Sequence, residues 1–158
     1  MSDDHLQVFS EETEDLLGLA EQALLSLDNL ENESDTLDCV NDLFRTFHTI
    51  KGAAGLFGLD PIVDFTHIVE SVLVKIREGE LSLDDSMVSL FLLSRDHLEK
   101  LVEHALNGQE GLTTELEATN QDLVTKLSVY LGLIQAANEA SRPCFLASFS
   151  ISSSLSPP

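Results

Sequence analysis

Apolar residues recur in this chain at steps of three and four, stretch after stretch, and no alternating Val- and Ile-rich run interrupts them. That pattern restricts the fold to packed helices. The first stretch runs from about Asp4 to Asn29 and carries Leu6, Phe9, Leu16, Leu17, Ala20, Ala23, Leu24 and Leu27. Acids crowd its opening turns, where they complement the helix dipole. After a polar connection at Glu31–Ser34, a second stretch from about Asp35 to Phe57 sets Val40, Leu43, Phe44, Phe47, Ile50 and Ala54 on one stripe, with Gly58 as its stop. Asp60-Pro61 reads as an N-cap followed by a first-turn proline. The third helix then turns Phe65, Ile68, Val69, Val72 and Ile76 inward and ends near Gly79. A fourth begins around Asp84, uses Met87, Leu90, Phe91, Leu98, Leu101, Val102 and Ala105, and stops before Gly108. Thr114-Glu115-Leu116-Glu117 has the form of a capping box. It opens a fifth helix through Leu123, Leu127, Tyr130, Leu131 and Ile134 to roughly Ala140.

Short connections between long amphipathic helices favour antiparallel neighbours. The expected fold is therefore all-α, an antiparallel up-and-down four-helix bundle with an additional C-terminal helix, occupying residues 1–140. Residues 141–158 differ in character: Ser141-Arg142-Pro143 breaks the helix, and the serine-rich run ends in Pro157-Pro158. Phe145, Leu146, Phe149 and Ile151 are too few to build a domain, so the segment is a flexible linker or a sequence foreign to the parent protein.

Charge narrows the partners. Eight Lys and Arg stand against 28 Asp and Glu, a formal net charge of −20. Such a surface repels nucleic-acid phosphates and anionic membranes, and it could steer toward a basic or metal-loaded partner, although most of these acids simply solvate helix faces. Cys39 and Cys144 are far apart and lack metal-ligand spacing, which suits a reducing compartment. Met1-Ser2-Asp3-Asp4 lacks the basic and apolar regions of a signal peptide, and no stretch is apolar enough to span a bilayer. The expected location is cytoplasmic.

The chemistry concentrates after Phe47. At about 100° per residue, His48 falls one step from that apolar position, at the margin of the stripe, where a ring can rest one edge on the core and offer the other to solvent. Gly52 and Gly55 follow at i+4 and i+7 along the same margin. Glycine inside a helix costs roughly 1 kcal/mol relative to alanine. Two beside a histidine either open a depression for another molecule or permit tight helix packing. Lys51, at i+3, places an ammonium where it could offset negative charge on the ring. On the third helix His67 and Glu70 are three apart, and a carboxylate there could accept the Nδ1 proton of His48 and free Nε2 as a nucleophile.

The run His48-Thr49-Ile50-Lys51-Gly52-Ala53-Ala54-Gly55-Leu56-Phe57-Gly58 resembles the phosphorylation motif of histidine phosphotransfer domains. It is similar in particular to the N-terminal domain of chemotaxis histidine kinases of the CheA type. Thr66-His67-Ile68-Val69-Glu70 and Arg77-Glu78-Gly79-Glu80-Leu81 match what that family carries after its motif. The resemblance covers about Asp4 to Asn107 well and the fifth helix loosely, and it does not reach the tail. It implies that His48 is the phosphoacceptor, that Glu70 orients it, and that Lys51 and His67 are polar neighbours tuning it. Ala53 stands where many relatives have glycine or serine, a small-for-small exchange.

No P-loop, glycine-rich nucleotide lid or strand-end aspartate cluster accompanies the motif. By itself the chain is then expected to be no enzyme and to bind no metal or cofactor. A separate histidine kinase catalytic domain would supply ATP. A response-regulator receiver, docking over Gly52, Gly55, Leu56 and Phe57, would supply Mg2+ and the accepting aspartate. Three rival readings are a metal-binding bundle using His48, His67, Glu70 and His97 or His104, a docking bundle whose histidine is incidental, and an autonomous hydrolase with His48 as general base, which the lack of a nucleophile-base-orienter set disfavours.

Overall fold

All five predicted stretches are helices in a computed structural model that describes residues 3–108 and 111–140. No strand occurs among the described residues. Helix α1 (Asp3–Ser26) gives way to a 3-10 turn at Leu27–Asn29, short of the predicted continuous helix. The remaining helices are α2 (Glu33–Leu56), α3 (Asp60–Arg77), α4 (Asp85–Leu106) and α5 (Thr114–Ala140).

Capping fixes where each begins. Asn32 Oδ1 accepts from the Asp35 amide at 3.0 Å, so α2 starts two residues before the predicted Asp35. Asp84 caps α4 by accepting from the Met87 amide at 2.8 Å. Two expected caps shift by one residue. Leu59, not Asp60, is the N-cap of α3: its carbonyl accepts from the Ile62 and Val63 amides, which puts Asp60 and Pro61 inside the first turn. Thr113, not Thr114, caps α5, taking the Leu116 amide on Oγ1 at 3.2 Å and the Glu117 amide on its carbonyl at 2.9 Å. Adjacent threonines offer the same chemistry, and backbone placement alone chooses between them. Gly58, at φ +67°, closes α2 in the left-handed region as its position suggested, while the Leu59 amide reaches back to the Ala54 carbonyl at 3.0 Å.

Helix α1 packs against α2 and α4, α2 against α3, and α3 against α4; α5 lies against α3 and α4. Between them Leu17, Leu24, Leu43, Phe47, Ile50, Phe65, Leu73, Met87, Phe91, Leu98 and Leu127 are fully buried. Each contributes about 1.5–3 kcal/mol of hydrophobic stabilisation. Arg95 ties α4 to α1, donating from Nε to the Leu17 carbonyl at 3.1 Å while its guanidinium meets Glu99 at 2.7 Å. Cys39 is half-buried with Sγ 3.4 Å from the Ala23 carbonyl, and burial pushes its thiol pKa up. Among the described residues no helix is long and apolar enough to cross a membrane. Cys144 and the proposed tail, 141–158, lie outside the described residues.

Candidate functional site

Burial of Phe47 and Ile50 fixes the rotation of α2 about its axis, and with it the direction of His48. The His48 side chain, one step round from Phe47, keeps 61% of its surface exposed. On α3, buried Val69, Val72 and Leu73 hold Glu70 toward α2, where its side chain is only 6% exposed. His48 Nδ1 lies 3.3 Å from Glu70 Oε2, and Lys51 Nζ donates to the same oxygen at 3.0 Å. On spacing alone Glu70 would be a solvated acid; packing turns it inward. Its Oε1 is buried without a partner.

The tautomer follows from the acceptor. An ionised carboxylate oxygen only accepts, so a neutral His48 in this contact carries its proton on Nδ1 and leaves the Nε2 lone pair free. Lys51 places its positive charge on the carboxylate, which balances a charge that would be costly to bury alone. A neutral imidazole held this way offers a free Nε2 lone pair to solvent beside a charge-paired carboxylate.

Around the ring the surface is open. A Cβ added at Gly52 or Gly55 would meet nothing within 4 Å, so these glycines do not serve tight helix packing. Leu56 ends the strip at 81% exposure. Phe57, expected beside it on the docking face, is half-buried instead, its ring 5.2 Å from that of Phe9 on α1. The end of α2 is sealed against α1 by that aromatic pair.

His67 is exposed, and among the described residues its ring has no hydrogen bond or ion pair with His48, Lys51 or Glu70; its carbonyl accepts from Ser71 Oγ at 2.9 Å. The histidines of the metal reading are scattered. His97 is buried with Nε2 3.0 Å from Asn120 Oδ1, and His104 bonds the Gly111 carbonyl. Among the described residues no three His, Cys, Asp or Glu side chains gather in a group that could hold a metal ion.

One neighbour of His48, and the residue that backs it, escaped the sequence reading. The Phe44 ring stacks on His48 with centroids 5.7 Å apart and planes 16° from parallel, and the Arg77 guanidinium lies 4.3 Å over the Phe44 ring. Their signal was spacing: Phe44 precedes His48 by one turn, and Arg77 follows Glu70 by two. The periodicity assigned Phe44 to the core stripe, but it is only half-buried.

Known proteins share this arrangement of sequence and fold. The pattern of the Hpt domain matches residues 4–122. The chain is 34% identical to chemotaxis protein CheA of Borreliella burgdorferi over 126 residues, 80% of this chain and 14% of that protein. It is 35% identical to CheA of Rhizobium meliloti over 136 residues, 85% of this chain and 17% of that protein. It is 36% identical to CheA of Salmonella typhimurium over 107 residues, 68% of this chain and 16% of that protein. The chain thus spans less than a fifth of these relatives. Among solved structures, the phosphorylated P1 domain of CheA3 in complex with CheY6 from R. sphaeroides superposes with a TM-score of 0.68 at 25% identity, covering 80% of this chain and 98% of that one. With an exposed histidine held by a buried carboxylate and a family pattern spanning most of its length, this chain belongs to the Hpt domain family.

Proposed function

We propose that this chain is a phosphorelay intermediate of chemotaxis-type two-component signalling, carrying a phosphoryl group on His48 Nε2. The observation that carries the reading is the 3.3 Å contact between Nδ1 of an exposed imidazole and a buried carboxylate. In the first step Nε2 attacks the γ-phosphorus of ATP bound to a separate histidine kinase catalytic domain. An N–P bond forms, the bond to the bridging oxygen breaks, and ADP departs. The Nδ1 proton stays against Glu70, whose charge stabilises the positive ring that develops. In the second step a receiver aspartate attacks the same phosphorus, the N–P bond breaks, and the imidazole leaves neutral. The receiver would hold Mg2+, which would supply charge neutralisation for the transferring group.

The CheA relatives support a kinase donor, and the P1–CheY6 complex supports a CheY-like receiver as acceptor. Gly52, Gly55 and Leu56 are the proposed docking strip, with Phe57 bracing it from behind. The helix adjacencies favour the antiparallel up-and-down arrangement of α1 to α4, with α5 added against α3 and α4. A cytoplasmic location fits a donor kinase domain that uses ATP.

The test mixes the chain with a CheA-type catalytic core, Mg2+ and γ-labelled ATP. The expected product is an acid-labile, base-stable label that disappears in His48→Gln and moves to a CheY-like receiver on mixing. Label retained by His48→Gln would remove His48 as the phosphoacceptor.

A further inference from the structure

We infer that Phe44 and Arg77 are positioning residues that set the plane of the His48 ring. The inference rests on the proposed phosphoacceptor role of His48 and concerns what makes that role reliable.

The Glu70 contact alone is a weak clamp. At 3.3 Å it lies beyond the usual length for such bonds, it reaches an oxygen already taken by Lys51, and the ring is mostly in water. The second torsion of histidine is broad and roughly two-fold, so one long bond leaves the ring free to turn. Once turned, Nδ1 exchanges its partner for water and nothing dictates the tautomer. The proton can then sit on Nε2, the atom that must attack.

Stacking supplies the missing restraint. Phe44, one turn before His48 on α2, covers a face of the imidazole at 5.7 Å with planes 16° apart. That geometry is an offset stack, which aromatic rings favour. Arg77 then pins Phe44 from α3, its guanidinium 4.3 Å above the ring. Among the described residues Arg77 forms no ion pair with a carboxylate, so the aromatic face is its defined contact. One face of α3 therefore presents both the acceptor for Nδ1 and, two turns on, the cation that holds the stack. A phosphoryl group on Nε2 lies in the plane of the imidazole, so the stack persists through phosphorylation and continues to aim the N–P bond.

The test reads tautomer and rate separately. In 15N-labelled full chain at neutral pH, long-range proton–nitrogen spectra report which ring nitrogen of His48 carries the proton. The wild type shows the Nδ1–H form, Phe44→Leu shows a mixture with Nε2–H, and Phe44→Tyr restores the wild-type spectrum. With a CheA-type core, kcat for phosphorylation of Phe44→Leu falls about three- to tenfold while KM for the chain holds. Arg77→Gln, a surface change that leaves the core intact, moves both readouts the same way by less. A Phe44→Leu chain, or an Arg77→Gln chain should the first not fold, with wild-type tautomer and kcat overturns the inference. The spectra need no phosphoryl transfer, so this outcome is distinct from label persisting on His48→Gln.

Discussion

Glu70 serves two residues with one oxygen, and this divides its effect on stability from its effect on chemistry. Oε2 takes both His48 and Lys51 while Oε1 is buried unpartnered, so the carboxylate is expensive to keep where it is. An amide of the same shape removes the buried charge but weakens the hold on Nδ1–H. Glu70→Gln is therefore expected to shift the urea unfolding free energy by no more than about 1 kcal/mol. Its rate of phosphorylation by a CheA-type core should fall by about ten- to a hundredfold, the usual cost of losing an orienting partner. A large stability loss with an unchanged rate would reverse the assignment and make Glu70 a structural residue.

Helix α2 accepts a weakness along the strip that follows His48. Gly52 and Gly55 lie within the helix, and a methyl group at either would touch nothing. Gly52→Ala and Gly55→Ala should each stabilise the fold by about 0.5–1 kcal/mol, measured by thermal or urea unfolding. The same substitutions should slow transfer from phosphorylated chain to a CheY-like receiver, because the new methyl groups hold the partner backbone away. Faster or unchanged transfer would leave the glycines without a docking role. The flanking Leu56 extends this open strip, whereas Phe57 is withdrawn from it by Phe9.

At the scale of the whole molecule, α5 is joined to the rest through buried Leu123 and Leu127 and through a polar link, His97 to Asn120. Burial lowers the His97 pKa from 6.5; the Asn120 bond opposes this, and the charge of Lys100 adds to the lowering. Its Nδ1 has no partner, so a second proton would be buried unsatisfied. Protonation is thus easier in the unfolded chain. The contribution of His97 is intact above pH 6.5 and is lost as pH falls below that value toward the lower native pKa. Urea unfolding at about pH 7.5 and about pH 5.5 should show the wild type losing more stability than His97→Gln over that interval. Equal losses would place the acid sensitivity on groups other than His97.

Local physics sufficed for the helices. The three- and four-residue periodicity, the acids at helix starts and the glycines past helix ends act within a turn or two, so five elements, most boundaries and the margin position of His48 were legible in the chain. The motif also singled out His48, Lys51 and Glu70. What the sequence left open was direction between helices: whether Glu70 faced α2 or water, whether the glycines met a neighbour, and which of His67, Phe44 and Arg77 stood beside the imidazole. Spacing along one helix carries no record of how its neighbour is rotated. That rotation is decided only when Phe47, Ile50, Val69 and Leu73 are buried together, and their burial brings the Glu70 carboxylate under His48 and leaves His67 in solvent.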